Sequence, residues 1–93
     1  MVVTFLGKKW DLRFVPNLGS VPAGRTRGTC DPPDCKKKAI KILSSLEGEE
    51  LLEVLIHEFL HASFWNIEEP SIEKAAQDIA YVLFKLGYRR AAD

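Results

Sequence analysis

Two histidines and one glutamate carry the clearest chemical signal in the chain. His57-Glu58-Phe59-Leu60-His61 has the form H-E-x-x-H. On an α-helix, residues i and i+4 lie one above the other, so both imidazoles can reach one metal ion. Zinc accepts imidazole nitrogen at about 2.0–2.1 Å in a tetrahedral shell. A carboxylate beside the first histidine, here Glu58, is placed to take a proton from metal-bound water. A shuffled chain with these two histidines and eight glutamates produces this arrangement only about once in 500. The pattern therefore outweighs the bland alternative of two histidines on a solvated helix.

A catalytic zinc needs a third protein ligand and one open position. The chain has no third histidine, and its two cysteines lie upstream. A downstream carboxylate is the expected ligand, with Glu68, Glu69, Glu73 and Asp78 as candidates. If two helices pack antiparallel through a short connection, the start of the second lies near His61. Glu73, in the first turn of that helix, is the expected ligand. Asp78 is the expected outer partner for a ligand imidazole, with a plain surface charge as the alternative. A donor able to stabilise negative charge developing beside the metal is open among Tyr81, Tyr88, Arg25, Arg27 and Arg89.

The elements that must position these groups can be read in order. Val2–Leu6 is β-branched and aromatic, and Gly7-Lys8-Lys9 supplies a turn. Residues 10–15 then alternate, with Trp10, Leu12 and Phe14 on one face and Asp11 and Arg13 on the other. Residues 16–35 read as a long loop rich in proline and glycine. Ala39–Leu43 alternates again and predicts a third strand, and 44–48 a turn. Glu49–Phe64 predicts the helix that carries the motif, with glutamates in its first turn to suit the helix dipole. Trp65–Glu69 is a short connection. A second helix starts at Pro70-Ser71 and ends at Gly87, with an apolar stripe of Ile72, Ala75, Ala76, Ile79, Val82, Leu83 and Leu86. The expected fold class is α+β: residues 1–93 form one domain, a small antiparallel sheet of about three strands packed on two helices.

Composition narrows the classes further. Thirteen basic and thirteen acidic side chains cancel, so no net field draws the protein to nucleic acid or membrane, and neither is expected as a partner. Lys36-Lys37-Lys38 reads as a solvated strand entry. No apolar run approaches the ~20 residues of a membrane span, and the first residues lack a signal-peptide pattern. A cytoplasmic protein is expected, in which Cys30 and Cys35 are free thiols on a proline-stiffened loop.

HEFLH followed by a carboxylate on the next helix resembles the zincin metallopeptidases, and the gluzincin type in particular. Leu51–Tyr88, together with Cys30-Asp-Pro-Pro33, also resembles small metallopeptidase-like proteins encoded by phages and prophages. The segment from His61 to Glu73 is shorter than that between second histidine and glutamate in thermolysin-like gluzincins. The resemblance implies a zinc cofactor, a peptide or protein substrate, and hydrolysis of the peptide bond by a zinc-activated water with Glu58 as base. A substrate strand is expected to pair with the sheet edge near Ala39–Leu43. The competing expectation is an inactive zincin-like binding or regulatory module with a structural zinc, because so short a chain offers little wall for a deep cleft.

Overall fold

The computed structural model describes residues 1–18 and 26–91. Its elements are β1 (Val2–Phe5), β2 (Lys8–Val15), β3 (Gly28–Cys30), β4 (Ala39–Leu43), α1 (Gly48–Ser63) and α2 (Glu69–Lys85). The class is α+β, as expected, but the sheet has four strands in the order β1-β2-β4-β3. It is also mixed rather than antiparallel, because β2 and β4 pair in parallel. A parallel pair needs a crossover of a dozen or more residues, and the long segment between β2 and β4 provides one. That segment contains β3, which returns antiparallel to β4 on its outer side. Three residues starting with glycine give no alternation to read, which is why β3 is invisible in the sequence pattern.

The first hairpin turns at Leu6-Gly7, one step earlier than expected. Both residues have positive φ (49° and 79°), the geometry that suits a two-residue hairpin. The predicted facing of β2 holds: Trp10 and Leu12 are buried, and Arg13 is exposed. With Ile40 and Ile42 from β4 and Leu51, Val54 and Ala62 from α1, they form the core. Phe59 of α1 reaches Phe5 of β1, ring centroids 4.9 Å apart. Trp10 donates its indole N–H to the Asp31 carbonyl at 3.0 Å, which satisfies the one polar atom of a fully buried ring.

The layering differs from two helices lying side by side on a sheet. α1 packs on β1, β3 and β4, whereas α2 packs on α1 and makes no comparable contact with any strand. Accordingly, the buried face of α2 is Ile72, Ala76 and Ala80. Three members of the expected stripe, Ile79, Val82 and Leu86, are 42%, 54% and 69% exposed. The small alanines let the two helices approach closely, and the larger side chains are turned away. α2 ends as the sequence suggests. Gly87 takes φ 95°, and the Gly87 and Tyr88 amides donate to the carbonyls of Phe84 and Leu83, both at 3.0 Å, a Schellman closure. Among the described residues, no helix is long and apolar enough to cross a membrane.

Candidate metal centre

His57 and His61 lie in the last two turns of α1 and face the start of α2. Their rings meet edge to face with centroids 4.8 Å apart, and the two Nε2 atoms stand 3.1 Å from each other. The carboxylate of Glu69 completes the group: Oε1 is 2.7 Å from His57 Nε2 and Oε2 is 2.8 Å from His61 Nε2. Two imidazole nitrogens and a carboxylate thus converge on one point. Among the described residues, His57, His61 and Glu69 are the one group of three or more donors close enough together to hold a metal ion. Ligands at about 2.05 Å around a tetrahedral zinc would lie about 3.3 Å apart. The observed separations of 2.7, 2.8 and 3.1 Å are somewhat shorter, so the group would open slightly to admit the ion, and a nitrogen and carboxylate set with no sulfur suits zinc.

The expected third ligand, Glu73, is not part of the group. It is exposed, and its Oε1 accepts a hydrogen bond from Gln77 Nε2 at 3.5 Å. The reason is where α2 begins. The helix starts at Glu69 with Glu68 as the extended residue before it, so Glu69 belongs to the helix rather than to the connection. The Ile72–Ala76–Ala80 face packs on α1, and Glu69 shares that face at the end nearest the histidines. Glu73 stands one turn further along, about 6 Å of rise. Glu68 accepts from the Ser71 hydroxyl at 3.0 Å and turns outward. Asp78 pairs with Lys74 at 3.1 Å, remote from the imidazoles, so it does not act as their outer partner.

Glu58 points to the opposite side of α1 from solvent and is 7% exposed, the one buried charged or polar residue among those described. Burial, and secondarily the Glu69 charge, pushes its carboxyl up to about 7. Its neighbour across the layer is Gly28 of β3. A Cβ there would come within 2.8 Å of Val54 Cγ1 and 3.1 Å of Glu58 Oε2, so only glycine lets β3 and α1 approach this closely. Arg27, just before β3, ties the strand to α1 through Glu50 at 3.0 Å and Glu53 at 2.9 Å. Neither Gly28 nor Arg27 carries a sequence signal for this role, because both fall in the segment that reads as loop.

A cavity of about 480 Å³ opens over the group, with Gly28 and Cys30 of β3 on one side and Trp65 and Ile67 of the connection on the other. Cys30 therefore belongs to the wall of the site rather than to a separate loop. It lies outside the donor group, and burial pushes its thiol up to about 12, with the Glu58 and Asp31 charges adding to the effect, so it is a neutral thiol at ordinary pH. Cys30 and Cys35 are both free. Of the oxyanion candidates, Arg27 lines an adjoining recess with Glu58 and Glu69. Tyr81, Tyr88 and Arg89 lie toward the far end of α2, where Arg89 covers the Phe84 ring at 3.6 Å. Arg25 is outside the described residues. β4 is an interior strand, so the sheet edge beside the site is β3 rather than Ala39–Leu43.

No family model, no curated protein and no solved structure matches this chain.

Proposed function

We propose that the protein is a zinc-dependent hydrolase of peptide bonds, in which His57, His61 and Glu69 hold the metal and Glu58 is the proton carrier. The convergence of the two Nε2 atoms on the Glu69 carboxylate carries this reading. Zinc held there would polarise a carbonyl and lower the pKa of a bound water toward about 7. The chain's own residues supply the rest. Glu58 lies on the turn between the two histidines, at the cavity wall. A carboxyl near neutrality is suited to accept a proton and return it to a leaving amine. β3 is the edge strand of the sheet beside the cavity, where an extended peptide can add by backbone hydrogen bonds. Trp65 and Ile67 offer an apolar wall for one of its side chains.

One observation favours a second reading, a zinc-bearing binding module. Arg27, the arginine among the described residues that borders the site, is engaged by two glutamates and is not free to stabilise an oxyanion.

Glu58→Gln separates the two. The substitution keeps shape and removes the base, so metal content stays at the parental level while cleavage of a quenched fluorogenic peptide library falls by roughly 10²–10⁴-fold. A fully zinc-loaded parent that cleaves nothing would leave the binding module as the surviving reading. Loss of zinc from Glu58→Gln would make Glu58 a ligand and overturn the role given to it.

A further inference from the structure

The equal totals of acid and base conceal a segregation. Glu47, Glu49, Glu50, Glu53, Glu68, Glu69, Glu73 and Asp78 all lie on the helices or at their starts. Six cations, Lys9, Arg13, Lys36, Lys37, Lys38 and Lys41, line one concavity of about 450 Å³ on the sheet side. Alternation accounts for three of them. Trp10, Leu12, Ile40 and Ile42 face α1, so Lys9 and Arg13 of β2 and Lys41 of β4 stand on the opposite face. The loop from β3 to β4 adds the other three. Asp31 fixes that loop by donating its amide to the Ala39 carbonyl at 3.1 Å while its carboxylate accepts the Ala39 amide at 2.9 Å. Lys38 is held above the Trp10 ring, 5.2 Å from its centroid, and donates to the Cys35 carbonyl at 3.4 Å.

This arrangement is not explained by folding. Arg13 and Lys41 are register partners on adjacent strands, where like charges repel. The two acidic groups in the concavity are otherwise engaged. Asp11 pairs with Arg13 and with the N-terminal ammonium, and Asp31 holds its loop. Lys9, Lys36, Lys37 and Lys41 have no acidic partner among the described residues.

We propose that this cationic sheet face binds the phosphate backbone of double-stranded nucleic acid, independently of base sequence. The cations are spread over two strands and a loop, and Lys9 and Arg13 alone are about 13 Å apart along β2. That is the scale of several phosphates on a duplex rather than of one small anion, which would require a convergent, buried donor set. The one aromatic ring in the concavity is Trp10, 1% exposed and covered by Lys38, so no platform exists for stacking unpaired bases. Among the described lining residues the one exposed apolar side chain is Val2, which is smaller than the aromatic or leucine groups that insert into a lipid interface. The contacts are therefore electrostatic and salt-sensitive. The metal centre lies on the other side of the sheet, so a bound duplex leaves the cavity open, and the inference does not depend on zinc or on hydrolysis.

The test is fluorescence anisotropy of a labelled 20-base-pair duplex titrated with the full chain between 50 and 200 mM salt, with and without chelator. Binding is expected at low salt, equal for unrelated sequences and unaffected by chelator. Four lysines on four phosphates give a slope of log K against log salt of about −3.6. The triple variant Lys9→Glu, Lys37→Glu, Lys41→Glu should bind at least 10-fold more weakly and with a shallower slope. Lys74→Glu with Lys85→Glu, on α2, should bind as the parent does. Circular dichroism melting of each variant checks that it is folded; the substituted lysines are exposed. Any of three results would overturn the proposal: no duplex binding at 50 mM salt, unchanged binding by the folded triple variant, or displacement of the duplex by polyglutamate or phosphatidylserine vesicles at equal charge concentration.

Discussion

The two helices of this protein are held in different ways, and the candidate centre is divided between them accordingly. α1 is packed on both sides, against the strands through Leu51 and Val54 and against α2 through its other face. It carries His57, Glu58 and His61, three side chains whose relative positions follow from one helix's geometry. α2 is packed on one side only and leaves Ile79, Val82 and Leu86 exposed. It contributes a single carboxylate, Glu69, from its first turn. Orientation within the centre is thus set by the rigid, doubly packed element. Closure of the centre depends on how the singly packed one docks.

If that division is right, disturbing the inner side of α1 should have large effects and disturbing the outer side of α2 small ones. The largest concerns Glu58. Its carboxyl is pushed up to about 7 from an ordinary 4.5, first by burial and then by Glu69. A raised folded-state pKa means the native state favours the protonated form. In chelator-treated protein this contribution is complete below about pH 4.5 and is lost as pH rises through about 7, by about 3 kcal/mol in total. Urea unfolding at pH 4.5 and pH 8 should show the parent losing that much more stability than Glu58→Gln. Equal pH dependence in the two proteins would mean that burial does not govern this carboxyl.

Gly28→Ala tests the same inner face from the strand side. The added methyl would stand 2.8 Å from the buried Val54 side chain, an overpacking that costs about 1–3 kcal/mol. A parental midpoint in urea would show that β3 can shift outward freely. At the small end, Val82→Ser on the outer face of α2 should change stability by no more than about 0.5 kcal/mol. A larger loss would reveal a partner for that face, for example a second copy of the chain, and would change with protein concentration.

The same division explains which features are legible in the sequence. The grouping of His57, Glu58 and His61 on one helix is legible in the sequence because it is local, and the alternation of Trp10 and Leu12 tells which side of β2 is buried. Glu69 is not legible as the donor because α2 starts one residue before Pro70 and because the larger members of its apolar stripe face away from α1. Apolar periodicity identifies a helix but not which part of a broad stripe makes the contact, and here the small residues Ala76 and Ala80 decide it. β3 was hidden because its role rests on close approach at Gly28, which leaves no trace in hydrophobic pattern. The basic face was hidden because a charge total says nothing of where the topology places each charge, and the parallel pairing of β2 with β4 is what sets Arg13 beside Lys41.

In the proposed centre, a carboxylate from α2 completes a metal site begun on α1. Zinc stoichiometry and affinity, measured by competition with a chelator for the parent, Glu69→Ala and Glu73→Ala, test it most directly. One zinc per chain and parental affinity for Glu73→Ala are expected. For Glu69→Ala the expected loss is larger than the roughly 10–100-fold typical of removing a partner outside the ligand set. A parent that takes up no zinc, or a Glu69→Ala protein that binds it as tightly as the parent, would contradict the claim.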